Sequence, residues 1–202
     1  MQINKRVISV KEIIKLFLQR AHFTVLNKYA YRKVGAKVAI VKPVRVIGKY
    51  NIELGDRVMI REGAYLCANC EKTGHPTLII SNGVNIGHYA HIVANHEVVI
   101  NSNVLIADKV FISDCTHNYE NIEMPIIYQD IKDIKAVHIG KGSWIGDNVS
   151  IIGADIGEHS VIGANSVVTK DIPPYSIAVG CPAKVIKYYD FNEKKWRIAN
   201  DV

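Results

Sequence analysis

His117 is the residue whose type and position most directly predict chemistry in this chain. It follows Asp114 by three residues, in the stretch SDCTHNY, where a regular part of the sequence gives way to a long irregular one. An imidazole with a reference pKa of about 6.5 can accept a proton near neutrality, and positioned general bases typically contribute roughly 10²–10⁴-fold to a rate. We therefore predict that His117 is a general base and that Asp114 orients its ring or holds its tautomer.

The four cysteines do not predict a metal site or a disulfide. Cys67 and Cys70 form a C-x-x-C with His75 nearby, but a structural zinc site needs a second pair of ligands at comparable spacing, and the sequence has none. We predict that the four cysteines are reduced thiols and that this pair binds no metal.

A six-residue repeat defines the elements that must position His117, and it is clearest over residues 139–169. A large aliphatic residue recurs at every sixth position, with one residue deleted between Ile151 and Ile156, and glycine often follows it directly. This period fits neither a helix nor a half-buried strand, but it suits a solenoid with three short flat sides. Fifteen aliphatic side chains are predicted to point into its axis: Leu54, Ile60, Leu66, Ile80, Ile86, Ile92, Ile100, Ile106, Ile112, Ile139, Ile145, Ile151, Ile156, Ile162 and Val168.

The repeat also divides the chain. We predict an N-terminal segment over residues 1–37, an all-β solenoid over 38–188, and a short polar C-terminal helix over 189–202. A long excursion from the solenoid is predicted at about residues 117–136, where the hexads are interrupted.

The N-terminal segment is strongly basic. Residues 1–50 contain 12 Lys and Arg against one acidic residue, and Ser9 to Glu12 form a capping box that opens a predicted helix over residues 9–33. Such a helix could cap the solenoid or contact a membrane surface, and no nucleic-acid motif accompanies it. The chain has no apolar run of the roughly 18 residues needed to span a bilayer and no secretory leader pattern. We therefore expect a cytoplasmic protein and, if the basic helix binds lipid rather than caps the solenoid, peripheral contact with the inner face of the membrane.

Three blocks carry a resemblance to a known family. Trp144-Ile145-Gly146, VIGANSVVTKDIPP over residues 161–174 and GCPAKVIK over residues 180–187 together resemble the hexapeptide-repeat acyltransferases. The likeness covers about residues 40–188, and residues 101–119 are similar to the sugar and polysaccharide O-acetyltransferases. The resemblance implies a left-handed parallel β-helix, a homotrimer and acetyl-CoA as co-substrate.

The resemblance also implies site residues. His117 would accept the proton of the acceptor hydroxyl. The residues implied for the cofactor are Trp144 and Ala164 beside the pantetheine arm, Thr169 and Lys170 near the nucleotide, and Lys187 at a phosphate. His88, His91 and Tyr119 are candidates for the acceptor pocket. Asp147 stands where the family often has serine, and an acid is a poor neighbour for phosphates.

We predict an acetyl-CoA-dependent O-acetyltransferase that transfers the acetyl group to a hydroxyl of a sugar or lipid-linked glycan in cell-surface polysaccharide biosynthesis. N-acetylation of an amino sugar is the nearest alternative. The γ-class carbonic anhydrases share this fold and bind zinc through three histidines, but Val93 stands where one ligand is expected, so no metal is predicted. A non-catalytic scaffold is a further alternative.

Overall fold

The computed structural model describes residues 29–69, 71 and 74–199, and these form a three-sided parallel β-solenoid. The chain visits the three sheets in a fixed order, which we label A, B and C, and then begins the next coil one strand further along each sheet. Each strand of the coils is two to four residues long, because a strand ends wherever the chain turns a corner of the coil.

Within each sheet, the strands that successive coils contribute are parallel and in register. Sheet A contains β1 (Lys33–Val34), β4 (Ile52–Leu54), β7 (Leu78–Ile80), β10 (Val98–Ile100) and β15 (Val137–Ile139). Sheet B begins with β2 (Ala39–Ile40), β5 (Met59–Ile60), β8 (Asn85–Ile86), β11 (Leu105–Ile106), β16 (Trp144–Ile145), β18 (Val161–Ile162) and β20 (Ser176–Val179). Sheet C contains β3 (Arg45–Ile47), β6 (Tyr65–Ala68), β9 (His91–Ala94), β12 (Phe111–Ser113), β17 (Ser150–Ile152) and β19 (Val167–Val168).

The core is the axis of the solenoid. All fifteen aliphatic residues predicted to be axial are buried, with at most 2% of their surface exposed. In-register pairing stacks each on its equivalents in the coils above and below, as in the ladder Ile86 to Ile106 to Ile145. Because each buried aliphatic side chain contributes roughly 1.5–3 kcal/mol, this column supplies most of the force that holds the coils together. The prediction from the six-residue period is confirmed.

Short polar side chains join successive coils at the corners. The Asp56 carboxylate accepts the Ala36 backbone N–H at 2.7 Å, and the Asn82 side-chain oxygen accepts the Asp56 N–H at 2.7 Å. These bonds satisfy backbone donors at turns where no strand partner is available.

The excursion leaves the solenoid after β12 and returns at β15. It contains β13 (Cys115–His117), a 3₁₀ turn (Ile126–Tyr128) and β14 (Ile131–Asp133), and β13 and β14 pair antiparallel as a separate two-stranded ribbon. The predicted excursion over residues 117–136 therefore corresponds to a hairpin that projects from the edge between sheets C and A.

The helix predicted over residues 9–33 is wrong where the structure describes it. Residues 29–32 form turns and bends, and Lys33–Val34 is strand β1, which pairs with β4. Lys33 and Val34 are the sheet A strand of the first coil, and hydrogen bonding to the next coil outweighs the local helical pattern. The solenoid thus begins before the predicted boundary at residue 38. The rest of the predicted helix, residues 9–28, lies outside the described residues.

The C-terminal helix predicted over residues 189–202 is also wrong within the described residues. The chain forms β21 (Lys184–Asp190) and β22 (Lys195–Ile198), which extend sheet B as antiparallel strands after β20. Aromatic side chains hold this hairpin, with the Tyr189 ring 5.5 Å from Trp196 and 5.2 Å from Phe191. Aromatic residues favour strands, and the open edge at β20 supplies a partner.

Candidate active site

His117 is the last residue of β13 and is exposed. Its backbone pairs with Ile131 of β14, so the excursion hairpin fixes its position. Within the described residues its imidazole has no hydrogen bond or ion pair to another side chain. An exposed imidazole without an internal partner is available to exchange a proton with a bound molecule.

Asp114 does not orient this imidazole. Its side chain is fully buried, and its oxygens accept three backbone N–H groups, from Asn95 at 2.8 Å, His96 at 2.7 Å and Glu97 at 2.6 Å. A buried carboxylate must have such donors, and those of residues 95–97 satisfy it completely. The prediction of a His117–Asp114 pair is therefore wrong for the described chain. Asp114 instead joins the start of the excursion to the previous corner.

The return of the excursion is fastened beside the same corner. The Asn95 side-chain N–H donates to Asp133 at 2.6 Å, and the Ile134 backbone N–H donates to the Asp114 carbonyl at 2.9 Å. Gly153 has a positive φ of 55°, and a Cβ there would lie 2.8 Å from the Ile134 side chain. Only glycine lets the returning strand pack this closely on the next coil.

The three acceptor candidates lie at three different places in the fold. His91 lies on the outer side of sheet C, with its ring 4.6 Å from Tyr65 and 5.4 Å from Phe111, and burial lowers the pKa of His91. Tyr119 is exposed on the excursion two residues beyond His117. His88 lies instead at the corner between sheets B and C, where its Nδ1 is 3.2 Å from the Asp108 carboxylate.

The cofactor candidates group around sheet B. Trp144 is half exposed, and backbone pairing places Val161, Ile177 and Lys187 in one row above it. Leu105, immediately below Trp144 in the same row, is also half exposed. Leu105 is not among the cofactor residues predicted from the sequence, although it occupies the same outward repeat position as Trp144, directly before an axial isoleucine.

The remaining three cofactor candidates lie beyond sheet B, at the two ends of sheet C. Ala164 is exposed at the corner after β18, where a Cβ on Gly146 would lie 2.7 Å from the Ala164 backbone nitrogen. Thr169 and Lys170 are exposed but follow β19, at the far end of sheet C. The structure therefore brings Trp144 and Ala164 near each other, and it separates them from Thr169 and Lys170 by the width of sheet C.

The topology separates His117 from the Trp144 row. The excursion projects from the edge between sheets C and A, and in a three-sided coil that edge lies opposite sheet B. Trp144 and His117 of one chain are therefore on opposite sides of the solenoid.

No group of three or more His, Cys, Asp or Glu side chains in the described residues is arranged to hold a metal ion. No described helix is long and apolar enough to cross a bilayer.

Sequence comparison identifies relatives of the chain. The profile described as "Hexapeptide repeat of succinyl-transferase" matches residues 136–170. The chain is 38% identical over 133 residues to WbbJ of Escherichia coli K12, a proposed lipopolysaccharide biosynthesis O-acetyl transferase. The aligned region covers 62% of this chain and 68% of that protein. Matches to acetyltransferases of Mycobacterium tuberculosis and Staphylococcus aureus span about a third or less of those proteins.

Solved structures have the same fold. A maltose O-acetyltransferase of Clostridium difficile is 26% identical with a TM-score of 0.53, over 93% of this chain and 78% of that one. AntD of Bacillus cereus, an N-acyltransferase solved with dTDP-4-amino-4,6-dideoxyglucose and coenzyme A, has a TM-score of 0.69 at 21% identity, over 84% and 90% of the two chains. The fold is the left-handed β-helix, and the chain belongs to the hexapeptide-repeat acetyltransferases.

Proposed function

We propose that the protein transfers an acetyl group from acetyl-CoA to a hydroxyl group of a sugar in polysaccharide assembly. The observation that carries this proposal is the exposed imidazole of His117, which has no internal partner in the described chain and lies on a ribbon projecting from a rigid solenoid. The similarity to a lipopolysaccharide O-acetyl transferase and to a maltose O-acetyltransferase supports a sugar hydroxyl as the acceptor.

The reaction follows from one base and one nucleophile. A ring nitrogen of His117 takes the proton of the acceptor hydroxyl. At the same time the oxygen of that hydroxyl attacks the carbonyl carbon of the thioester. The tetrahedral intermediate collapses, the carbon–sulfur bond breaks, and the coenzyme A thiolate takes the proton back from the imidazolium. The products are an acetyl ester and coenzyme A, and no acyl-enzyme is needed.

The proposed active site lies between two copies of the chain in a homotrimer. Because His117 and Trp144 lie on opposite sides of one solenoid, a thioester lodged against Trp144 can meet only the His117 of a neighbouring copy. The excursion also carries Ile122, Ile127 and Tyr128, each at least 75% exposed. Exposed apolar groups of this size on a soluble surface favour burial against a partner, and the half-exposed Leu105 and Trp144 are a suitable apolar counterpart.

In this arrangement Trp144 and Ala164 line the pantetheine arm, and Lys187, in the same row as Trp144, lies toward the nucleotide. Thr169 and Lys170 lie across sheet C from that row, so their proposed contact with the nucleotide would have to come from another copy. The lysines are suited to phosphate because each is a compact positive charge on a flexible stem. On the other side of the cleft, His91 and Tyr119 are proposed to bind the acceptor.

His88 is a weaker acceptor candidate, since it already pairs with Asp108 at the other corner of sheet C.

The experiment combines acetyl-CoA with a panel of sugar nucleotides and lipid-linked glycans and records the release of the coenzyme A thiol. We expect His117→Ala to lower the transfer rate by about 10²–10⁴-fold while coenzyme A binding, measured by calorimetry, stays intact. His159→Ala, which removes an exposed histidine elsewhere on the solenoid, is the matched control and should transfer normally. Transfer by His117→Ala within about tenfold of the parent rate would refute the assignment.

Two further readouts separate the alternatives. An acetyl group that mild base removes is an ester, whereas one that resists it is an amide and indicates N-acetylation. A protein that gives no heat with coenzyme A would be a scaffold rather than a transferase.

A cytoplasmic location with contact at the inner face of the membrane is also part of the proposal. It is supported by the basic charge of residues 1–50, and cell fractionation of the parent and of a variant that lacks residues 1–28, which keeps the first coil of the solenoid, tests it.

A further inference from the structure

Five charged or titratable side chains form a continuous network where the excursion rejoins the solenoid. The Lys135 ammonium is 2.7 Å from the Asp155 carboxylate and 2.6 Å from the Asp171 carboxylate. His138 lies between two carboxylates, with Nδ1 3.0 Å from Asp155 and Nε2 2.9 Å from Glu97. We call these five residues, Lys135, Asp155, Asp171, His138 and Glu97, the return anchor.

The return anchor connects four coils. Glu97 precedes β10, His138 lies in β15, Asp155 precedes the next sheet A position, and Asp171 precedes the one after that. Backbone bonds reinforce the side-chain contacts, since Asp155 accepts the His138 N–H at 2.8 Å and Asp171 accepts the Asp155 N–H at 3.0 Å. Only Lys135 comes from the excursion, so its ammonium is the charge that ties the returning strand to this row.

The tie reaches His117 through the backbone. Lys135 follows β14 by two residues, and β14 pairs residue by residue with β13, from Cys115 opposite Asp133 to His117 opposite Ile131. At about 3.4 Å per residue, Lys135 is roughly 13 Å along the strand from the partner of His117. The bonds of Asp133 to Asn95 and of Ile134 to Asp114 also hold this end of the ribbon. The two ion pairs of Lys135 add to them, and without these ion pairs the ribbon can tilt on the remaining bonds.

The pKa shifts of Lys135 and Asp171 favour their charged forms and therefore favour the ion pair between them. Hydrogen bonds to Asp155 and Asp171 raise the pKa of Lys135, and the Asp155 backbone N–H together with Lys135 lowers the pKa of Asp171. All three groups thus stay ionised across the neutral range.

We propose that Lys135 is a positioning residue for the transfer reaction: its ion pairs with Asp155 and Asp171 fasten the excursion and thereby set the place of His117. The inference rests on the proposed role of His117. Because the acceptor proton must be within hydrogen-bond reach of the base, a shift of about 1 Å at His117 is enough to lower the rate by up to roughly 10²-fold.

Three variants test this inference. Lys135→Met removes the charge and keeps the length of the side chain. Lys135→Arg restores a cation that can bridge two carboxylates. Lys141→Met is the control, because Lys141 is an exposed lysine on the solenoid with no ion pair in the described residues.

Two measurements are made on each variant. Amide hydrogen exchange reports how firmly residues 115–134 are held, and it does not depend on activity. Steady-state kinetics with acetyl-CoA and an accepted sugar separate kcat from KM.

We expect Lys135→Met to exchange amide protons at least about tenfold faster over residues 115–134 and to lose about 10- to 100-fold in kcat, with KM for acetyl-CoA unchanged. Lys135→Arg should recover most of the exchange protection and most of kcat. Lys141→Met should match the parent in both measurements. A general loss of structure would instead raise exchange throughout the solenoid and would not be rescued by arginine.

Unchanged exchange or unchanged kcat in Lys135→Met would overturn the inference. A parent protein that binds coenzyme A but acetylates no acceptor would refute the proposed function. In that case the exchange data alone still decide whether Lys135 fastens the excursion.

Discussion

Asp114→Asn is the substitution that tests most directly how the excursion is joined to the solenoid. Asp114 is fully buried, and its two oxygens accept the backbone N–H groups of Asn95, His96 and Glu97 at 2.6–2.8 Å. An asparagine side chain has nearly the same shape, but it has one acceptor oxygen and an NH₂ group that can only donate. At least one of the three N–H groups would then face another donor.

The expected cost follows from these three bonds. A hydrogen bond to a charged group contributes about 1.5–3 kcal/mol, and a buried group left without a partner costs about 1–3 kcal/mol. The two surviving bonds also weaken, because their acceptor is no longer ionised. We therefore expect Asp114→Asn to lower the free energy of unfolding by about 2–4 kcal/mol. For a chain of this length that corresponds to a fall of about 4–16 °C in the unfolding midpoint.

Chemical denaturation of the purified protein, at one fixed protomer concentration, measures this loss, since assembly would make stability depend on concentration. Asp130→Asn is the matched control, because this substitution makes the same chemical change at an exposed position of the excursion. It should change stability by less than about 0.5 kcal/mol. If Asp114→Asn behaves like Asp130→Asn, the three bonds to Asp114 do not carry the junction and the reasoning is refuted.

Three more outcomes are expected. Ile86→Ala, at an axial position, should cost about 2–5 kcal/mol, whereas Ile198→Ala, which is 71% exposed, should cost less than about 0.5 kcal/mol; equal losses in denaturant titrations would contradict the axial core. Trp144→Ala should raise KM for acetyl-CoA by about tenfold with little change in kcat, and an unchanged KM in steady-state assays would remove Trp144 from the cofactor site. Hydrogen bonds from a backbone N–H and from Lys135 lower the pKa of Asp171, so its contribution to stability is present above the unfolded value of about 3.9 and is lost as the pH falls through the lower folded value. The midpoint temperature of thermal unfolding should therefore decrease when the pH is lowered below about 4, and this decrease should be smaller in Asp171→Asn.

The features that could be predicted from the sequence are those that repeat. A six-residue period places one aliphatic side chain on each side of every coil, and each of the fifteen predicted positions, from Leu54 to Val168, is buried. The interruption before residue 137 likewise predicts that the chain leaves the solenoid near His117. Both inferences depend only on local spacing, which a linear sequence records directly.

The errors lie where a distant segment supplies the partner. Residues 29–33 have a helical pattern, but Lys33 and Val34 pair with Glu53 and Leu54 of the next coil. The tail around Trp196 is polar enough to predict a helix, yet β20 offers an open edge and β21 and β22 extend it. In both cases backbone pairing with another segment outweighs the local preference.

His117 shows the division most clearly. Its residue type and its place after a regular stretch are enough to predict a general base there, because imidazole chemistry is a property of the side chain. Three relations could not be predicted from the sequence. Asp114 accepts hydrogen bonds from the backbone of residues 95–97, Lys135 forms ion pairs with Asp155 and Asp171, and Trp144 lies on the side of the solenoid opposite His117. These relations join residues that are 17 or more positions apart in the chain. Only the winding of the coils brings them together, since it decides which corners are stacked and which sides face away from each other.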